Sequence, residues 1–158
     1  MPKRIKFTVY GKPQSRGSKQ ASVRYGRDGK PISKDGRVLT FAKDSNPKST
    51  AWMEMVTSAA AKAYSGNLLT GAVRLSVQFF FARPKAHYGS GRNASLMKES
   101  APAMHIQTPD FSKCMRAVED ALTGVVWRDD CQIVGYGVAN GKYWTNGQAR
   151  AEIEIFET

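Results

Sequence analysis

The sequence predicts an α+β fold: a mostly antiparallel or mixed sheet with two main helices packed on it and a long basic loop, in a single domain. Three observations predict it. A length of 158 residues allows one sizeable core rather than two. Segments of alternating polar and apolar residues are interrupted by two segments of helical periodicity. Residues 83–108 show no period and are rich in Pro, Gly, Ser and basic residues.

The first predicted strand covers residues 4–10, where apolar side chains alternate with polar ones. The residues expected to face inward are Ile5, Phe7 and Val9. Residues 11–36 follow without a lasting period. Because Asp28-Gly29 and Asp35-Gly36 are hairpin-turn dipeptides, this segment is expected to form a basic β-ribbon.

A first helix is predicted at residues 47–64, with Ser45 or Asn46 as its cap and Pro47 in its first turn. Gly66 follows its end.

The clearest strand covers residues 73–81, and the long loop at 83–108 comes after it. A loop of this length inside a compact domain is usually functional, so a mobile arm that contacts a polyanion is expected, with a passive insertion as the alternative. His87 and His105 lie in this loop, where contacts with solvent or phosphate are expected.

A second helix is predicted at residues 110–125, because its apolar residues fall within one arc at 100° per residue. Asp129-Asp130 forms the turn that follows. Two final strands are predicted at 132–138 and 149–156, joined around Asn140-Gly141 or Asn146-Gly147.

Charge is distributed unevenly along the chain, whose formal net charge is +11. Residues 1–50 hold 13 Lys and Arg against 3 acids, whereas residues 106–158 hold 5 against 8. A protein that only coats nucleic acid gains nothing from acids near phosphate. A nuclease needs a basic surface for phosphate and a few acids for a divalent cation. The alternative, acids on a solvated far side of a cationic protein, stays open at this point.

Several classes of protein are disfavoured. No apolar stretch approaches the roughly 20 residues that span a bilayer, and the N-terminus lacks an apolar leader, so a soluble intracellular protein is expected. Cys114 and Cys131 have no zinc or disulfide spacing and are expected to be reduced and buried. The glycine-rich residues 89–91 lack the strand and helix of a nucleotide cradle, so no nucleotide cofactor is expected.

Three carboxylates flank the second predicted helix: Asp110 at its start, and Asp129 and Asp130 past its end. Such a helix is roughly 20 Å long, so these groups meet only if the following chain returns beside it. Mg²⁺ favours carboxylate oxygens and retained waters, so two or three such acids would suffice. Asp110 as a helix cap and Asp129-Asp130 as a solvated turn remain alternatives. Arg116 and Asp120 are expected to form an exposed i,i+4 pair.

Residues 108–133, TPDFSKCMRAVEDALTGVVWRDDCQI, resemble the signature of the RusA-type Holliday junction resolvases. The family pattern runs Pro-Asp-x-Asp-Asn or Lys, a Lys or Arg, Asp-Ala-Leu-x-Gly, an aromatic residue, then x-Asp-Asp-x-Gln-Val/Ile. The opening at residues 7–13 and the segments 83–88 and 91–94 are also similar to members of this family, in particular phage-encoded ones.

The resemblance implies a small α+β homodimer, of phage or prophage origin, that acts on four-way DNA junctions in the bacterial cytoplasm. With Mg²⁺, or Mn²⁺ as a substitute, it would nick paired strands. Asp110 would be the first metal-binding and catalytic acid and Asp130 the other, with Asp129 beside it. Arg116 stands where the family has a catalytic Lys; Arg cannot lose its proton, so its expected role is charge stabilisation. Asp120 falls on the helix acid and would orient Arg116.

Ser112 departs from the pattern, because it stands where the family usually has a second essential aspartate. Basic residues of the ribbon, the long loop and the second helix are expected to contact DNA phosphates: Lys12, Arg16, Lys19, Arg24, Arg83, Lys85, Arg92 and Lys113. Ser112 motivates one alternative, a junction- or single-strand-binding protein with weakened or lost catalysis. A second alternative, a nuclease of the restriction-enzyme fold, lacks its Glu-x-Lys or Asp-x-Lys after Asp110.

Overall fold

The computed structural model describes residues 3–158, with the side chains of Lys19 and Gln20 excepted. The strands are β1 Arg4–Tyr10, β2 Lys19–Val23, β3 Ser33–Lys34, β4 Arg37–Val38, β5 Thr40–Asp44, β6 Val73–Ala82, β7 Ile133–Tyr136, β8 Gly141–Thr145 and β9 Arg150–Glu157. The helices are α1 Lys48–Ala63 and α2 Phe111–Leu122, and short 3₁₀ turns lie at Lys85–His87, Gly91–Asn93 and Asp130–Gln132.

Five strands form a mixed sheet, which confirms the predicted α+β class. The strand order is β1-β9-β6-β7, and β8 pairs with the far end of β6. β9 is antiparallel to β1 and β6, whereas β7 and β8 are parallel to β6. The sequence pattern predicts a connection, not a strand, at the residues of β8. The reason is that β8 finds its partner in β6, far away in sequence, rather than in a hairpin.

The core lies between this sheet and the two helices. The three β1 side chains predicted to face inward are buried, as predicted. From α1, Trp52, Val56 and Ala60 are buried, and the apolar arc of α2 supplies Cys114, Met115, Ala117, Val118, Ala121 and Leu122. Phe79 of β6 meets Phe111 of α2 edge to face, with ring centroids 6.0 Å apart. Each large side chain buried in this way contributes roughly 1.5–3 kcal/mol of transfer free energy.

Both helices are slightly shorter than predicted. Asn46 accepts a hydrogen bond from the backbone N–H of Lys48 through its side chain (3.1 Å), although Pro47 occupies the N-cap position. α2 stops at Leu122 because the chain turns at Gly124, whose φ of 79° favours glycine.

The predicted basic ribbon is present at residues 19–44. β2 pairs with β5 and β3 pairs with β4, both antiparallel. Asp35 and Gly36 have φ of 50° and 74°, the two consecutive positive values that a tight hairpin turn requires. The turn dipeptide therefore indicated the hairpin correctly.

The long loop folds back over β8 instead of extending as an arm. His105 N–H donates to the carbonyl of Lys142 (3.0 Å), and Trp144 N–H donates to the carbonyl of Ala103 (2.9 Å). The expectation that His105 contacts solvent or phosphate is therefore wrong: the residue is only 5% exposed, and its ring stacks on Phe81. His87 is half-buried and meets Trp144 edge to face. No helix of the described residues is long and apolar enough to cross a bilayer.

Candidate active site

A charged cleft of about 610 Å³ lies where the base of the ribbon meets α2 and the turn before β7. Its charged lining residues are Arg16, Lys113, Arg116, Asp120, Asp129 and Asp130. Six of the residues singled out from the sequence thus face one cavity. We call it the charged cleft.

One face of α2 supplies the cleft's helical side chains. Lys113, Arg116 and Asp120 are spaced at i, i+3 and i+7, which places them on one side of a helix. The expected Arg116–Asp120 ion pair does not form; Asp120 Oδ2 instead lies 3.0 Å from Nε of Arg16. Arg116 is exposed and has no ion-pair partner among the described side chains. Its guanidinium is therefore available to an incoming anion.

Arg16 fastens the ribbon to α2. Besides Asp120, its guanidinium contacts Asp44 Oδ2 at the end of β5 (3.3 Å), and its backbone N–H donates to the carbonyl of Lys113 (2.9 Å). A Cβ at the neighbouring Gly17 would lie 2.6 Å from the backbone nitrogen of Asn46 and 2.7 Å from that of Ser45, so this close approach of two chain segments requires glycine. Arg16 was predicted to contact DNA phosphate, but in the structure it is already held by two carboxylates.

A hydrogen-bonded turn presents Asp129 and Asp130 to the cleft. Gln132 Oε1 accepts the backbone N–H groups of Arg128 (2.9 Å) and Asp129 (3.0 Å), and its Nε2 donates to the carbonyls of Leu69 and Gly71. Asp129 Oδ1 accepts the N–H of Cys131 at 2.9 Å.

The same turn sets the protonation of its side chains. The backbone N–H of Cys131 lowers the pKa of Asp129, with help from the Cys131 thiol and the Asp130 side chain, so Asp129 is ionised at neutral pH. The prediction that both cysteines are buried is right for Cys114 and wrong for Cys131, which the turn leaves exposed. The hydrogen bond to Asp129 raises the pKa of the Cys131 thiol, so it stays protonated and is a poor nucleophile.

Asp110 lies at the N-terminal end of α2, where it does not line the cleft itself but contacts Lys113, which does. It occupies the N-cap position without a capping side-chain hydrogen bond, and its Oδ2 lies 3.3 Å from Nζ of Lys113. Lys142 Nζ supports this end by donating to the carbonyls of Gln107 and Pro109. Ser112 is exposed in the first turn. The chain therefore does not bring Asp110 or Ser112 into the cavity that Asp129 and Asp130 line, and a ligand role for Asp110 stays a prediction.

The carboxylates of the cleft suit a divalent cation whose remaining ligands are water molecules and substrate phosphates. Within the part of the chain that the structure describes, no group of three or more His, Cys, Asp or Glu is placed to hold a metal ion. Mg²⁺ is commonly held by one or two carboxylates, with waters and substrate phosphates completing the octahedron. Asp129 and Asp130 supply two adjacent carboxylates of this kind, while Asp120 is engaged by Arg16.

The predicted phosphate contacts lie in several places. Arg24 sits over the Phe41 ring in the ribbon, 5.7 Å from its centroid. Arg83 donates to the carbonyl of Pro102 (2.6 Å), while Lys85 and Arg92 are exposed in the 3₁₀ turns of the long loop. The side chain of Lys19 lies outside the described residues. Lys12 is exposed and lines a second, aromatic cavity that the sequence analysis missed.

Comparison with known proteins identifies the relatives of this chain. The family model described as endodeoxyribonuclease RusA matches residues 28–156. The matched range contains β3 to β8, all but the last residue of β9, both helices and the Asp129-Asp130 turn, but not Arg16. The uncharacterized protein YqaN of Bacillus subtilis (strain 168) is 29% identical over 156 residues, which cover 97% of this chain and 96% of that protein.

Proposed function

The chain belongs to the RusA family of endodeoxyribonucleases, and from that membership we propose that it resolves four-way DNA junctions by paired, Mg²⁺-dependent nicks. The family itself gives the coarser statement, that the protein acts on DNA as an endonuclease. The junction, the metal ion and the pairing of nicks are our proposal.

The observation that carries the proposal is the meeting of Asp129 and Asp130 with Arg116 and Lys113 in one cleft. Carboxylates alone would repel a DNA phosphate, and cations alone would only bind it. Together they suit a reaction in which negative charge grows on a phosphate held beside a divalent cation.

Asp129 and Asp130 would hold the ion, and DNA phosphate would complete its shell. An Mg²⁺ ion held there would supply charge neutralisation at the phosphate and activation of water. In the hydrolysis, the oxygen of water bonds to phosphorus, one P–O ester bond breaks, and the departing oxygen takes up a proton. Arg116 would stabilise charge on the non-bridging oxygens; because it cannot lose its proton, it serves as neither acid nor base. Lys113 adds a second positive charge at the same face.

The ribbon and the long loop would hold the DNA arms by phosphate contacts. Their lysines and arginines are mostly exposed, which suits binding that falls with salt and ignores sequence. A homodimer would supply two clefts for two strands, in keeping with the symmetry of a four-way junction.

The test uses a labelled four-way junction and a linear duplex of the same sequence. We expect paired nicks on the junction with Mg²⁺ or Mn²⁺, little cutting of the duplex, and no cutting with EDTA. Salt-sensitive junction binding without nicks at any concentration of either metal would overturn the proposal. That result would favour the junction-binding protein that Ser112 suggests.

A further inference from the structure

The side-chain amide of Gln132 is hydrogen-bonded to the backbone at both of its polar atoms. Its Oε1 accepts the N–H groups of Arg128 (2.9 Å) and Asp129 (3.0 Å). Its Nε2 donates to the carbonyls of Leu69 and Gly71, each at 2.9 Å. An amide oxygen accepts two hydrogen bonds and an amide nitrogen donates two, so the capacity of this half-buried side chain is fully used.

The two sides of this amide connect different parts of the fold. One side binds the turn that carries Asp129 and Asp130, and the other binds residues 69–71, which lead into β6. Leu69 is only 3% exposed, and its own N–H donates to the carbonyl of Val126 (2.8 Å). The amide therefore ties an exposed turn to a buried segment beside the central strand of the sheet.

The ends of the turn are anchored without the Gln132 amide. Before the turn, Trp127 is 0% exposed. After it, Ile133 pairs with Val73 in the parallel ladder of β6 and β7. Residues 128–131, which lie between these anchors, are exposed. Loss of the amide should therefore loosen residues 128–131 and leave the rest of the fold in place.

A fixed backbone matters for two neighbouring carboxylates that are to hold one cation. Mg²⁺ demands near-ideal octahedral geometry, so its ligands have to be placed closely. Ligands that are already in place lose less conformational freedom when the ion binds, and its affinity is higher for that reason. Groups that orient metal ligands by hydrogen bonds typically contribute roughly 10–100-fold in metal affinity or activity.

We propose that Gln132 is a positioning residue that sets the affinity of the charged cleft for its divalent cation. It acts by fixing the backbone of the turn on which Asp129 and Asp130 stand, and it does not itself line the cleft. The proposal rests on the proposed function for the role of these two carboxylates as metal ligands.

Asn140 offers a matched comparison, because its amide bridges the backbone in a connection that carries no carboxylate. This connection, residues 137–140, joins β7 to β8. Asn140 Oδ1 accepts the N–H of Val77 in β6 (2.8 Å), and its Nδ2 donates to the carbonyl of Gly137. Like Gln132, Asn140 is half-buried. Its replacement removes an amide bridge to β6 and leaves the turn untouched.

The first test measures Mn²⁺ binding by the protein without DNA, from the paramagnetic resonance signal of the free ion. It compares wild type with Gln132→Met and Asn140→Leu, which keep most of the side-chain volume and lose the amide. We expect Gln132→Met to bind Mn²⁺ roughly tenfold more weakly and Asn140→Leu to bind it as wild type does. Equal affinities of Gln132→Met and wild type would overturn the proposal.

The second test measures junction cleavage over a range of Mg²⁺ concentrations. Gln132→Met should need roughly tenfold more Mg²⁺ for half-maximal cleavage, and saturating Mg²⁺ should restore most of the rate. Asn140→Leu should need as much Mg²⁺ as wild type. A general loss of folded protein would instead lower the rate by the same factor at every Mg²⁺ concentration, and that result would contradict a positioning role.

A third test needs no variant and stands even if Gln132→Met does not fold. The backbone N–H groups of Arg128 and Asp129 belong to exposed residues but donate to Gln132 Oε1. In the wild-type protein we expect both to exchange with solvent at least about tenfold more slowly than in an unstructured chain. Exchange at the unstructured rate would show that Gln132 does not hold the turn.

The wild-type results separate this proposal from the proposed function. If the wild type binds Mn²⁺ and cuts junctions while Gln132→Met has the same Mn²⁺ affinity, the positioning role alone is contradicted. If the wild type neither binds Mn²⁺ nor cuts junctions, both proposals are contradicted.

Discussion

The ribbon and the charged cleft are both rich in lysine and arginine, but they place these cations in different surroundings. In the ribbon, no described lysine or arginine side chain forms an ion pair. Two of its acids, Asp28 and Asp35, sit in turns, and the third, Asp44, pairs with Arg16 outside the ribbon. In the cleft, Lys113 and Arg116 share the cavity with three carboxylates. The two regions meet at Arg16, which joins Asp44 of the ribbon to Asp120 of α2.

Under the proposed function, we expect this difference to separate holding DNA from cutting it. An isolated exposed cation attracts any nearby phosphate and so favours binding of DNA. It does not by itself take part in a reaction. Where cations face carboxylates, the carboxylates can hold a metal ion while the cations stabilise the negative charge that develops on the phosphate. Changes in the cleft should therefore alter cleavage, and changes in the ribbon should alter binding.

Among the variants that keep the carboxylates of the cleft, the largest effect is expected from Arg116→Gln. Removing one charged donor aimed at developing charge costs roughly 100-fold in rate, so junction cleavage should fall by about that factor. Because Arg116 is exposed and without an ion pair among the described side chains, stability should change by less than about 0.5 kcal/mol. Single-turnover cleavage and thermal unfolding measure the two effects, with Arg116→Lys as the control that retains part of the rate. If Arg116→Gln cuts the junction as fast as wild type, Arg116 does not stabilise charge in the cleavage reaction.

A smaller effect is expected when ribbon charge is removed with Lys30→Gln and Arg37→Gln. Both side chains are exposed, and each lost phosphate contact should reduce the slope of log affinity against log salt by about 0.9. The rate of cleavage at saturating protein should stay the same. Binding titrations at several salt concentrations measure the slope, and an unchanged slope would contradict a role for the ribbon in holding DNA.

Arg16→Ala tests the link between the regions. The Arg16 side chain is 30% exposed, so solvent screens its two ion pairs only in part. Their loss should reduce the free energy of unfolding by about 1 kcal/mol. The base of the ribbon should also become easier to cut with protease. Denaturant unfolding and limited proteolysis check this, and Arg27→Ala, in the exposed ribbon tip, is the control. Equal stability of the two variants would mean that Arg16 does not fasten the ribbon.

The smallest effect is expected from Cys131→Ser. The thiol beside Asp129 stays protonated, so it takes no part as a nucleophile, and the backbone N–H that Asp129 accepts is retained. Cleavage should remain within about twofold of wild type. A strong loss of cleavage, with folding intact by circular dichroism, would show that the sulfur has a chemical role.

Features with a local signal were predictable from the sequence. Alternation identified β1 and β6, the turn dipeptide Asp35-Gly36 identified the ribbon, and apolar periodicity identified α2. These patterns follow from the geometry of single elements and need no knowledge of neighbours.

The features that escaped prediction depend on partners far away in sequence. β8 exists because β6 offers it a parallel edge, and His105 is buried because Phe81 and Trp144 close around it. Likewise, the residue spacing favoured Arg116 as the partner of Asp120, but Arg16 occupies that carboxylate. The resemblance implied one site for Asp110, Asp130 and Arg116. The structure brings Asp129, Asp130 and Arg116 to one cleft, whereas the relation of Asp110 to them depends on contacts that one helix does not specify.

The most direct test of the account is cleavage of the labelled four-way junction by Asp130→Asn, with binding measured in the same samples. Asp35→Asn is the matched control, because asparagine tolerates the positive φ of that ribbon turn. We predict that Asp130→Asn binds the junction as tightly as wild type and cuts it about 100-fold more slowly or worse, since a metal ion at the phosphate contributes several kcal/mol. The control should cut normally. Normal cutting by Asp130→Asn would contradict the assignment of the charged cleft as the active site.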